Sequence, residues 1–229
     1  MKRILPLVAA ALVGVGAYFL FVYEPSNSAP QTAAVTSDTS VDVADNADEN
    51  ADLDTASIPD MMIGNQDAKV TVIEYASYTC PHCASFHAGT YKELKRDYID
   101  TGKINFVFRE VYFDRYGLWA SMIARCAGPD KFFGMTDLMF KNQSLWTRAG
   151  EPAAIIDELR KIGRLAGMDG DTLEACLNDD EKAKTLVAWY QEKAGADNID
   201  STPSFVINGK KYSNMSFVEM SVILDAAIE

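Results

Sequence analysis

Val70-Thr71-Val72-Ile73-Glu74-Tyr75 runs, after two small residues, into Tyr78-Thr79-Cys80-Pro81-His82-Cys83. Apart from Glu74 the first run is β-branched or aromatic, the composition of a buried strand. Residues 84–98 read as a helix. Two cysteines separated by two residues therefore sit where a strand hands over to a helix. Pro81 suits a first helical turn, because its missing N–H would be unpaired there anyway. Cys80 then lies at the helix N-terminus, facing free N–H groups and the positive end of the helix dipole. Both favour a thiolate over a thiol. The His82 imidazole adds a donor, and a positive charge when protonated. This is the setting of a reactive dithiol. Structural zinc fits less well: it takes four Cys or His ligands, and the 2 histidines are His82, inside the loop, and His87. A purely structural disulfide across so short a loop would remove little chain entropy.

Working outward, Gly102 stops the helix and residues 104–110 form a second strand. A strand, a helix and a strand of these lengths make a βαβ unit with a parallel pair. Residues 60–65 form a short edge strand or a lead-in loop. From about 114 to 198 the pattern is helical, with Leu118, Trp119, Met122, Ile123 and Cys126 at helical spacing, Pro152 opening a further helix and Asp171 placed to cap a short one. The aromatic and Met stripe there reads as core. The sheet resumes after Thr202-Pro203 with Ser204-Phe205-Val206-Ile207. Asn208-Gly209 signals a type I′ hairpin, Lys210-Lys211-Tyr212 returns, and Ser216 caps a final helix. The order is β-α-β, a helical insert, then β-β-α, an α/β domain over 58–229.

Two segments precede that domain. Lys2-Arg3 stand before an uncharged apolar run, 4–23, the pattern of an export signal. The run is about long enough to span a bilayer and exceeds the roughly 7–15 residues of a cleaved signal core. This favours an uncleaved anchor over a cleaved signal peptide, with the domain on the far side of the membrane. Residues 24–57 hold acids at Glu24, Asp38, Asp42, Asp45, Asp48, Glu49, Asp52 and Asp54, and no Lys or Arg. Such a stretch cannot bury enough apolar surface to offset its ordering entropy and reads as a disordered acidic linker. The net charge of −12 argues against nucleic acid as a partner.

With these residues assembled, 58–229 resembles the DsbA-like branch of the thioredoxin superfamily. The tetrapeptide Cys80-Pro81-His82-Cys83 looks like the DsbA active site, and Glu74 lies where the family keeps a buried acid. Ser201-Thr202-Pro203-Ser204 looks like its cis-proline loop, and the helical block at about 114–198 interrupts the fold at the family's place. Asn198 and Ser201 stand where relatives often carry glycine. His87 stands where some relatives have an acid; four residues after Cys83, it reads as a surface histidine, with tuning of the thiols as the second reading.

The resemblance implies a thioredoxin-like fold with a helical insertion and a thiol-disulfide oxidoreductase. In that reading Cys80 is the nucleophile, Cys83 the resolving thiol, Pro81 and His82 tune them, and Glu74 relays a proton to Cys83. The alternative for Glu74 is an edge-exposed acid without a role. Thr202 and Pro203 would bind the substrate. Relatives with an extra cysteine pair in the insert suggest a structural disulfide between Cys126 and Cys176, worth at most about 4 kcal/mol in the chain-entropy model; two free buried cysteines are the alternative. The implied enzyme is a periplasmic monomer without cofactor or metal. It oxidises reduced or unfolded exported proteins and is reoxidised by a DsbB-like membrane partner. A reductase or isomerase of the same fold, or a Cu(I)-binding module using the two thiolates, are the competing readings.

Overall fold

The computed structural model describes residues 53–229. The apolar run 4–23 and most of the acidic stretch lie outside the described residues, among which no helix is long and apolar enough to cross a membrane. Thr55–Ser57, expected at the end of the linker, form a 3-10 turn, and the Thr55 hydroxyl donates to Glu192.

Five strands form one sheet: β1 (Met61–Gly64), β2 (Val70–Ala76), β3 (Ile104–Glu110), β4 (Ser204–Ile207) and β5 (Lys210–Ser213), in the order β1-β3-β2-β4-β5. β2 and β3 are parallel, joined by a helical crossover; the other neighbours are antiparallel. β2 is flanked on both sides, so its β-branched residues have partners on either edge. Gly64 ends β1 at a positive φ of 102°, where a side chain would stand 2.6 Å from the Ile104 carbonyl oxygen. Asn208 and Gly209, both at positive φ, turn β4 into β5 as a type I′ turn requires.

The crossover differs from the single helix expected over 84–98. Helix α1 (Pro81–Ala88) starts three residues earlier, and α2 (Thr90–Leu94) follows a break at Gly89 and runs into a π-type turn, Lys95–Ile99. At Gly89 φ and ψ are −122° and −92°, outside the helical region, which a residue without a Cβ tolerates.

The insert comprises α3 (Arg115–Cys126), α4 (Pro129–Lys141), α5 (Gln143–Trp146), α6 (Pro152–Leu165), α7 (Gly170–Leu177) and α8 (Asp180–Ala196). Asp169, rather than the expected Asp171, caps α7 by accepting the Thr172 N–H; both acids are two residues apart, so the sequence signal alone did not set the frame. Helix α9 (Phe217–Ile228) starts with a Ser216/Glu219 capping box. Phe106, Phe108, Phe132, Met135, Met139 and Trp146 pack between sheet and insert.

Candidate active site

β2 delivers the chain to Ser77-Tyr78-Thr79, and Cys80 follows as the N-cap of α1 in extended conformation. Its Sγ accepts the Cys83 N–H at 3.4 Å. Pro81 occupies the first turn, where no N–H is missed. Cys80 and Cys83 are free thiols. Cys80 is 7% exposed and Cys83 is fully buried, while His82 lies on the surface.

The two sulfurs are electrostatically unlike. Hydrogen bonding from the Cys83 thiol, opposed by burial and helped by Thr202 and the Cys83 and His82 N–H groups, lowers the Cys80 pKa to about 5. Burial pushes the Cys83 thiol up, and its hydrogen bond to Cys80 and the charge of Glu74 add to that. Near neutrality the pair is a thiolate over a buried thiol. Thr202 approaches from the opposite side: its carbonyl oxygen lies 3.5 Å from Cys80 Sγ, and the Thr202–Pro203 peptide is cis.

Glu74, on β2 beneath α1, is completely buried. Its carboxylate oxygens lie 3.0 and 3.2 Å from His87 Nε2. The expected surface position of His87 is therefore wrong: the residue is buried, stacked on Phe140 at 4.2 Å and beside Tyr91 at 4.5 Å. Four-residue spacing from Cys83 identified its helix face; the rings that cover that face come from α2 and α4, which the spacing does not reveal.

The insert holds the Cys80 turn in a way the sequence did not signal. Gln143 Nε2 donates to the Tyr78 and Cys80 carbonyls, both at 2.8 Å. Thr79 donates to Asp114 at 2.9 Å, and Asp114 also caps α3. Tyr78 and Thr136 share a hydrogen bond at 2.8 Å. No motif flags a lone Gln whose partners lie more than sixty positions away. Elsewhere, Cys126 and Cys176 are disulfide-bonded with Cα atoms 6.2 Å apart, tying α3 to α7 outside the dithiol site. Among the described residues no group of three or more His, Cys, Asp or Glu side chains is arranged to hold a metal ion.

Comparison with known proteins fits this geometry. The thioredoxin family model matches residues 56–226. A Rickettsia bellii protein named "Putative protein-disulfide oxidoreductase" is 39% identical over 171 residues, 74% of this chain and 65% of its own length. The chain thus spans just under two thirds of that relative. Disulfide bond formation protein D of Bacillus subtilis is 27% identical over 159 residues, 68% of this chain and 70% of its own. The crystal structure of Wolbachia pipientis alpha-DsbA1 superposes with a TM-score of 0.68 at 26% identity, covering 75% of this chain and 92% of that one. The family model covers most of the chain and the fold superposes on that of alpha-DsbA1: the chain belongs to the thioredoxin family, in its DsbA-like branch.

Proposed function

We propose that this protein is a thiol-disulfide oxidoreductase that oxidises dithiols in exported proteins. The observation that carries the reading is the inequality of the two sulfurs: a Cys80 pKa lowered to about 5 over a buried Cys83 thiol. Stabilising the Cys80 thiolate stabilises the reduced protein and makes the oxidised one a strong oxidant. In turnover a client thiolate attacks Cys80 Sγ and the Cys80–Cys83 bond breaks. Cys83 takes the electron pair and then a proton. The client's second thiolate then attacks its own sulfur in the mixed disulfide and releases Cys80 as a thiolate. The client loses two electrons and the protein gains them. Thr202 would offer its backbone to an extended client segment by strand addition, with Pro203 contributing no donor of its own. Pro81 and His82 shape the turn, and Cys126–Cys176 braces the insert.

The dithiol returns to the disulfide through a membrane partner of the DsbB kind, and the domain works as a periplasmic monomer, delivered by residues 4–23 as anchor or signal. An equilibrium redox titration against glutathione tests the chemistry. The expected potential lies nearer the about −120 mV of DsbA than the about −270 mV of thioredoxin. A value at the thioredoxin end would make the protein a reductase.

A further inference from the structure

We propose that His87 is a relay residue for Cys83, passing protons between a solvent-facing cavity beside α4 and the Glu74 carboxylate. This deepens the exchange reading above and rests on it.

Cys83 must gain a proton each time it leaves the disulfide and lose one each time the disulfide re-forms. It is fully buried, and so is Glu74; neither can trade protons with bulk water directly. Among the described residues Glu74 has one partner at its carboxylate, His87 Nε2, at 3.0 and 3.2 Å. With Glu74 ionised, that nitrogen carries the hydrogen. The same histidine lines a cavity of about 450 Å³ between α1 and the insert, together with Ser85, Lys92, Asp137, Phe140 and Lys141. Among the described residues His87 thus touches both the buried acid and a space open to solvent. An imidazole can take a proton at one ring nitrogen and release it at the other, so a ring that holds the acid through Nε2 and borders the cavity can link the two.

The ring is also fixed for the task. Phe140 stacks on one face with planes 23° apart, and Tyr91 and Phe86 hold its other sides. The charged and titratable groups around it are Glu74 on β2, Cys83 on α1, Tyr91 and Lys92 on α2, and Asp137 and Lys141 on α4. In the oxidising direction the client thiolate attacks Cys80 and Cys83 departs with the electron pair. The Glu74–His87 pair then gives Cys83 a proton and recovers one from water in the cavity. The client dithiol is oxidised, the protein disulfide is reduced, and no further reactant enters.

The test is the rate at which dithiothreitol reduces the oxidised full-length protein, measured from pH 5 to 9. His87→Gln should slow this step by at least about tenfold, the low end of what general acid–base groups supply being larger still, and should remove an inflection from its pH profile. The rate of Cys80 alkylation in the reduced protein should stay within about twofold. His87→Ala beside the cavity should regain rate in proportion to added imidazole. A His87→Gln rate within about twofold of the parent with an unchanged profile would overturn the relay. So would slowing that imidazole does not restore, since that assigns His87 to packing alone. If the His87 single variants fail to fold, Glu74→Gln/His87→Gln leaves no buried charge behind and is compared with Glu74→Gln. The relay requires it to be no slower than Glu74→Gln, and further slowing overturns it. A parent protein that transfers no disulfide sinks the exchange reading and the relay together, whereas active transfer with indifferent His87 variants sinks the relay only.

Discussion

Two buried carboxylates stand on neighbouring parallel strands and meet opposite kinds of partner. Glu74 on β2 pairs with His87, side chains 0% and 3% exposed; Glu110 on β3 pairs with Arg125, 0% and 4% exposed. Burial is nearly the same, so the difference lies in the chemistry. Arg125 grips Glu110 with two nitrogens at 2.7 and 2.5 Å and donates to the Pro59 carbonyl, and Ser121 adds a third hydrogen bond to Glu110. Burial pulls the guanidinium down, but the charge and hydrogen bonds of Glu110 outweigh it and hold Arg125 above its usual value. The guanidinium therefore keeps its proton across the ordinary pH range. Glu74 has a single nitrogen for a partner, and that partner is the one side chain whose unperturbed titration falls near neutrality. A fixed pair braces the fold where the insert meets the sheet; an acid–imidazole pair lies beneath α1.

Removing the fixed partner should have the largest effect. Arg125→Leu leaves the buried Glu110 carboxyl without its ion-pair partner and should cost about 3–5 kcal/mol in urea unfolding. Arg125→Leu/Glu110→Leu should recover most of that loss, because breaking a buried pair is far more costly than replacing it with apolar groups. The stacking of Arg125 over Trp189, at 4.8 Å, is lost in both variants and so cancels between them. A double variant as unstable as the single one would show that packing, not the orphaned charge, sets the cost.

A second prediction uses pH to separate the regions. The folded Cys80 pKa is about 5, against about 8.5 for an unfolded cysteine. A group depressed by folding stabilises fully above its unfolded pKa and loses that contribution as pH falls through the folded one. The reduced protein should therefore gain stability over the oxidised one from about pH 5 to about pH 8.5, with the gap level below that window and shrinking above it, where the raised Cys83 thiol keeps a proton that the unfolded cysteine loses. Thiolate absorbance should titrate with a midpoint near 5. The Glu110–Arg125 pair contributes nothing to this difference, because it is present in both redox states. A reduced-minus-oxidised difference that is flat with pH would remove the basis for an oxidising potential.

The same contrast explains what the sequence made legible. The strand, Cys80 turn and helix start follow from local rules: β-branched residues, Pro81 in the first turn, a positive-φ Asn-Gly pair, a Ser216 cap. Each acts within a few residues, so the pattern displays it. Glu74 shares its strand face with Val70 and Val72, all three fully buried, so alternation along the strand displays its burial. His87 was misread because burial came from Phe140 and Tyr91 on other elements. Gln143 carried no signal at all, since its two carbonyl partners are ordinary backbone groups across the fold. The Glu110–Arg125 pair was invisible for the same reason. Polar groups satisfied over long range are set by tertiary geometry, and both buried pairs belong to that class.

The smallest expected effect is the most informative about Glu74. Glu74→Gln removes a buried charge whose only hydrogen-bond partner among the described residues is His87 Nε2. The amide oxygen can still accept from that nitrogen, and the desolvation cost of the carboxylate disappears. Against this stand the lost charge assistance in the hydrogen bond and an amide NH2 without an acceptor, each worth on the order of 1–3 kcal/mol. The terms oppose one another, so the stability of the reduced protein should move by no more than about 1 kcal/mol, far less than for Arg125→Leu. Its thiols should respond instead: with the Glu74 charge gone, one cause of the raised Cys83 pKa is removed, and Cys83 should become alkylatable at lower pH than in the parent. Urea unfolding and pH-dependent alkylation of the two cysteines measure both halves. A loss as large as that of Arg125→Leu, with Cys83 reactivity unchanged, would make Glu74–His87 a second structural brace and erase the distinction between the two strands.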